Sequence, residues 1–288
     1  ASRGGRQPVR LPEGARLQSV TLDGVAQPIR LEAGQVLLPV HPGNQQAVLI
    51  WIQEVGIDTH LVMPTVGLGA PSVNATSRIE LGPDRWVLWL GGPTLGPAVL
   101  FWSLIPLILL FALVLGRLRL SPASAWQWGL LLLGLSQAPP LGAILVVGWL
   151  LALAWRGAKG QSLSNSAFNL VQIGLVLLSL QALSALAAAV AEGLLGQPAM
   201  QIAGNGSHAG HLLWYQDRAG DTLPRPWVIS VPLWVYRLLM LVWALWLANS
   251  LLNWLRWGWG CFSADGLWRK SPQRAFAKWR RNEEEIGK

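Results

Sequence analysis

LLLLGLSQAPPLGAILVVGWLLALAW, from Leu130 to Trp155, decides the arrangement of this chain. It is almost wholly apolar, yet Pro139 and Pro140 interrupt its middle. One proline removes a helical hydrogen bond and crowds the turn before it, and the residue preceding a proline is pushed toward extended backbone. The stretch is therefore either one broken helix that crosses a membrane once or two short helices folded into a hairpin. The choice sets the side on which every later segment emerges.

Composition places the question in a membrane. Of 288 residues, 52% are hydrophobic and 12% charged, where a soluble domain carries about 25% charge. Trp occurs 18 times against 5 Phe and 2 Tyr, and many of these Trp flank apolar runs, as in an interfacial aromatic belt. The single cysteine, Cys261, excludes an internal disulfide and a cysteine-based metal cluster. The chain begins at Ala1 without the basic and apolar regions of a signal peptide, and residues 1–20 read like the middle of a β domain. Either a signal peptide has been removed or this is the C-terminal part of a longer protein, and we expect the second.

Working outward, residues 1–95 read as an extracytoplasmic β-rich domain, sandwich-like, with short β-prone runs between the turn signals Asp23-Gly24, Ala33-Gly34 and Pro42-Gly43-Asn44. Residues 96–259 read as a transmembrane helical bundle of about five helices, at 97–116, 124–138, 140–155, 166–192 and 231–256. Pro106 would kink the first, which membrane helices tolerate. A polar outer loop, 197–230, precedes the last helix, and its Trp214, Tyr215 and Trp227 are expected to pack under the β domain. Residues 260–288 form a basic cytoplasmic tail.

Charge resolves the Pro-Pro stretch, because Lys and Arg in short loops stay on the cytoplasmic side. A single crossing strands one positive group outside. A hairpin turning at Pro139-Pro140 puts Arg117, Arg119, Arg156, Lys159 and the tail on one side. Residues 1–96 then carry seven basic and seven acidic side chains, the loop 197–230 balances Arg218 and Arg225 with Asp217 and Asp221, and the whole formal charge of +8 falls on the cytoplasmic face. Each arm has about 15–17 residues, near the short limit for a span, and a re-entrant hairpin gives the same sidedness. We expect two short spans, the N-terminal domain periplasmic and the tail cytoplasmic, in a bacterial inner membrane. The basic tail then reads as an orientation signal near anionic lipid, not as a nucleic-acid site.

Few residues invite chemistry. Transport commonly uses ionisable groups at mid-membrane; Glu192 and Arg237 are the candidates, both toward the outer face, where Arg237 snorkels to the interface or pairs with Glu192. The fourth helix carries Asn169, Gln172, Ser179, Gln181 and Ser184, of which Asn169, Gln172 and Ser179 recur near one face, and Asn249 and Asn253 stand four apart on the last. These read as contacts between helices, internal or to a partner. His41, His60, His208 and His211 all fall outside the spans, so no helix supplies an axial ligand to a haem or chlorophyll; no cofactor is expected. His208 and His211 sit in a Gly-rich loop and Asp58 near His60 in a strand or turn, and neither reads as a metal or catalytic site. The tripeptides at Asn74 and Asn205 fit a glycosylation pattern, and Cys261 just inside the membrane is open to acylation in principle. No nucleophile elbow, phosphate loop or zinc-protease motif occurs.

PWVISVPLWVYRLLMLVWALWLANSLLNWLRWGWGC, with DRWVLWLGGPTLGPAVLFW before the first span, resembles the end of large uncharacterised proteobacterial envelope proteins. The resemblance implies a long extracytoplasmic β-rich region followed by a C-terminal helical membrane part; it implies no reaction. The expectation is a non-enzymatic inner-membrane anchor or scaffold subunit that packs against other integral membrane proteins or a further copy of itself. The alternatives are a transporter or lipid-handling component, with a cavity lined by Gln172, Gln181, Asn249 and Asn253, and the membrane part of a larger envelope enzyme.

Overall fold

The computed structural model describes residues 4–118 and 121–269, apart from 55, 57 and 94. The chain divides into two compact units, one of Ala1–Trp102 with Ala199–Val235 and one of Ser103–Pro198 with Tyr236–Lys288. It passes between them three times.

The first unit is built of strands: β1 (Gly5–Arg10), β2 (Arg16–Leu22), β3 (Val25–Ala26), β4 (Gln35–Val40), β5 (Ala47–Ile52), β6 (His60–Val62), β7 (Ser72–Glu80), β8 (Arg85–Gly91), β9 (Ala98–Val99), β10 (Ile202–Ala203), β11 (His211–Ala219) and β12 (Trp227–Pro232). Two of the sequence's turn signals act as tight reversals. Asp23 and Gly24, at φ 52° and 81°, join β2 to β3. Ala33 and Gly34, at φ 48° and 74°, lie between Glu32 and Gln35, whose backbones exchange two hydrogen bonds of 2.9 Å. Two successive left-handed residues match the twist of a hairpin, which is why a glycine closes each pair.

The strands form sheets of two or three strands: β1–β4, β3–β2–β5, β7–β11, β6–β12–β8 and β9–β10 among the described residues. They enclose two apolar clusters. Val9, Val20, Val36 and Leu38 centre the first; Ile79, Val87, Leu212, Trp214 and Val228 form the second. The segment 197–230, read from sequence as a loop, supplies much of the second cluster through β11 and β12. β11 pairs with β7, setting Leu212 against Ile79 and Trp214 against Ser77, and β12 lies between β6 and β8. Both partnerships join residues more than a hundred positions apart, so the segment's polar and Gly-rich composition concealed them. The β unit is accordingly not confined to residues 1–95.

Of the expected packing residues, Trp214 is fully buried. A side chain at Gly96 would collide with its indole, and one at Gly91 with the indole of Trp227. The glycines of GGPTLG thus let two large aromatics lie directly on backbone. The Tyr215 hydroxyl donates to Asn74 Oδ1 at 2.7 Å.

The helices are α1 (Phe101–Arg117), α2 (Ala125–Leu135), α3 (Pro140–Lys159), α4 (Asn165–Leu195) and α5 (Leu233–Ser263), with a 3-10 turn at Gly160–Ser162. Three stretches, Pro140–Ser162, Asn165–Leu195 and Leu233–Ser263, are long and apolar enough to cross a membrane by length and composition; α1 and α2 are shorter. The first helix starts at Phe101 and not at 97, because Ala98–Val99 is taken up in β9. α2 stops at Leu135, well before 138, and α3 begins on Pro140, whose missing N–H costs nothing in the first turn. α4 buries Phe168, Gln172, Leu175, Ala182, Leu186 and Ala189, a stripe along one face with steps of three, four or seven residues. α5 continues to Ser263, past the expected end at 256. Arg119 and most of the basic tail, 270–288, lie outside the described residues.

Candidate functional site: a buried arginine clasp

Polar side chains concentrate where the ends of α3 and α5 meet the start of α4. Arg156, in the last turn of α3, is fully buried. Its Nη2 donates to the carbonyls of Ala264 at 2.6 Å, Phe262 at 3.3 Å and Gly266 at 3.5 Å. These acceptors lie in or just beyond the last turn of α5, where carbonyls have no partner within the helix. One guanidinium therefore caps a second helix from the side. Gly160 makes this fit possible, since a Cβ there would strike Arg156 Nη1.

Four further side chains complete the clasp. Phe168, in the first turn of α4, has the Arg156 guanidinium 4.4 Å and the Arg269 guanidinium 4.1 Å from its ring centroid, and an aromatic face attracts a cation most where water is excluded. Arg269 also donates to Leu163 O at 3.0 Å and Gly160 O at 3.2 Å. Asn169 binds the backbone of Arg269 in both directions, its Nδ2 donating to the carbonyl at 2.8 Å and its Oδ1 accepting from the N–H at 3.0 Å. Gln172 Nε2 donates to Phe262 O at 3.1 Å and Leu267 O at 3.3 Å. Among the described residues, Arg156 Nε and Nη1 and Gln172 Oε1 are buried without a hydrogen-bond partner, a costly arrangement for a charge.

The residues singled out from sequence thus divide. Asn169 and Gln172 belong to the clasp. Ser179, further along α4, accepts from Trp149 Nε1 at 2.8 Å and donates to Leu175 O at 2.7 Å, tying α3 to α4. Gln181, Glu192, Arg237, Asn249 and Asn253 lie exposed on α4 and α5. The ion pairs within 4 Å among the described residues, Arg16–Glu54 and His211–Glu80, include neither Glu192 nor Arg237. Gln172, Gln181, Asn249 and Asn253 do not converge on a common cavity: the first is buried and engaged, and the others face outward. Pro139 and Pro140 are exposed at the break between α2 and α3.

Arg156, Arg269 and Phe168 were not singled out from sequence. Arg156 was read only as loop charge marking sidedness; its one local signal is a cation on the last turn of an apolar helix followed by glycine. A separate apolar groove of about 230 Å³ lies among α3, α4 and α5, lined by Trp149, Leu153, Val176, Ser179 and Leu255 among others. In the β unit the rings of His208 and His211 stack with centroids 5.5 Å apart, and His60 meets Trp227 edge-on at 5.7 Å. No group of three His, Cys, Asp or Glu side chains placed to hold a metal occurs among the described residues. Asn74 and Asn205 both take left-handed backbone in turns or irregular strand, and the Asn205 Nδ2 donates to Leu95 O at 3.0 Å. Cys261 is half-buried beside Gly157. Compared with protein-family models, with curated proteins and with solved structures, the chain matches none.

Proposed function

We propose that the chain is a non-enzymatic integral inner-membrane anchor, or scaffold subunit, that presents a β-rich unit on the extracytoplasmic side and packs its helices against other membrane proteins of an envelope complex. The observation that carries this reading is the interleaving of the two units: residues 199–235 return to the strands between α4 and α5, so that three covalent crossings fasten the β unit to the helices. A domain on a flexible tether would need one. The clasp supports the same reading, since it spends buried polar groups on fastening helix ends together, with its hydrogen bonds on the chain's own carbonyls.

In this proposal all five helices lie in the bilayer, with Arg117, Arg156, Lys159 and the basic tail on the cytoplasmic side. α2, at 11 residues, covers about 17 Å at 1.5 Å per residue, so the Pro139-Pro140 hairpin has one short arm. Whether that arm meets a thinned bilayer or stops short as a re-entrant segment, the sidedness is the same. The apolar groove among α3, α4 and α5 favours a second reading, a lipid-handling component whose groove takes an acyl chain.

The test is extraction in mild detergent followed by mass spectrometry of the intact assembly. Stoichiometric membrane proteins travelling with the chain are expected. A chain that carries bound phospholipid and no protein would replace the scaffold reading with the lipid-handling one.

A further inference from the structure

α5 presents two opposed faces. Tyr236, Met240, Trp243, Leu247, Ser250 and Trp254 are buried, spaced by three and four residues. A second series with the same spacing, Leu238, Val242, Leu245, Asn249 and Leu252, faces outward. Its apolar members are 52% to 65% exposed, and Asn249 is exposed as well. At roughly 100° per residue, the two series lie on nearly opposite sides of the helix.

The outward series is a heptad seam. Leucine recurs at 238, 245 and 252, with Val242 and Asn249 at the alternate positions. Leucine at d with a β-branched residue at a favours two parallel strands, and a single Asn at a fixes their register. Exposed Arg237 and Arg256 bracket the seam; the eighteen residues between them span about 27 Å, close to the roughly 30 Å of hydrocarbon. Asn249 lies within about 4 Å of the centre of that span, and no described residue hydrogen-bonds its side chain. An unpaired amide at that depth is costly.

We propose that two copies of the chain pair in the membrane through this face of α5, with Asn249 hydrogen-bonded to Asn249 of the other copy. The inference rests on the membrane-anchor reading and names its partner. Copies inserted in the same sense are related by a two-fold axis along the membrane normal, so their α5 helices run parallel and each seam residue meets itself at equal depth. An amide suits that meeting because it donates and accepts at once. A foreign helix would have to supply an amide at the same depth, whereas a second copy does so by symmetry.

The test uses the full chain in membrane vesicles, with Cys261→Ser as background and single cysteines introduced from 238 to 256 and at Gln181 and Ser184. Oxidative cross-linking is expected to give covalent dimers that peak at 238, 242, 245, 249 and 252, and to be weak at Leu239→Cys and Leu255→Cys, which lie off the seam. Asn249→Leu is expected to lower the association constant roughly three- to thirty-fold, with recovery in Asn249→Gln. Uniform or absent cross-linking, adducts only to another protein, or a peak at Gln181 and Ser184 would each overturn the pairing. Release of the chain by alkaline carbonate would overturn the membrane reading itself; a carbonate-resistant chain without seam cross-links overturns the pairing alone.

Discussion

The helical unit ties its helices together in one way at its middle and in another at one end. In the middle the ties are neutral and single: Trp149 Nε1 to Ser179, and Trp243 Nε1 to Leu130 O at 2.9 Å. An indole brings a large apolar surface with one donor, so little polarity is buried for each contact made. At the end the tie is a charged side chain on several carbonyls at once. The difference follows from helix geometry. Mid-helix carbonyls are already used by the backbone, whereas the end of α5 offers free acceptors, and there one nitrogen of a buried guanidinium meets several carbonyls at once.

Arg156→Ala is the sharpest way to break this contrast. It removes the side-chain donor of the Ala264 and Gly266 carbonyls, leaves Phe262 O to Gln172 alone and opens a cavity beside Phe168, and should lower stability by about 3 kcal/mol, read as a fall in the unfolding midpoint in detergent. Arg156→Met, which keeps the volume and removes the desolvated charge, should lose distinctly less. Equal losses would show that the guanidinium's hydrogen bonds, and not its packing, account for the clasp.

Gly134→Val attacks the middle. Gly134 stands where the Trp243 indole crosses α2, and any Cβ there would collide with it. A loss of about 2–3 kcal/mol is expected, with a red-shifted tryptophan emission as the indole is displaced toward a more polar setting; an unchanged midpoint would mean that α2 moves freely over α5. Gln172→Leu should cost about 1 kcal/mol, because the lost donor to two carbonyls is partly offset by removing the orphaned Oε1. Ser179→Ala should cost least, roughly 0.5–1 kcal/mol, through the single partner it takes from Trp149.

Much of the helical unit was legible because apolar length and charge asymmetry are properties of contiguous sequence. The Pro139-Pro140 break, the basic ends of α1 and α3 and the long runs of α4 and α5 all declare themselves locally. The pairing of β11 with β7 does not. Strands more than a hundred residues apart share no local signal, and a segment rich in Gly, His and Asp reads as loop until its partner is present. Asn169, Gln172 and Ser179 were recognised as polar residues on one face of α4, since their spacing places them there. What each one bonds was not legible, because the acceptors are backbone carbonyls beyond α5 or a single indole on α3.

Sequence alone determined that this is a chain of long apolar helices with a β-rich part, a broken stretch at Pro139-Pro140 and its net charge gathered in a few short loops and the tail, since each of these depends on composition and on residues close together in the chain. Tertiary structure decided that Arg156 is a buried cap and not a loop charge, that residues 199–235 belong with the strands, and that Asn249 faces outward while Gln172 faces inward. Those outcomes depend on which backbone atoms and surfaces become neighbours when distant segments fold together, and residue order along the chain does not specify that by itself.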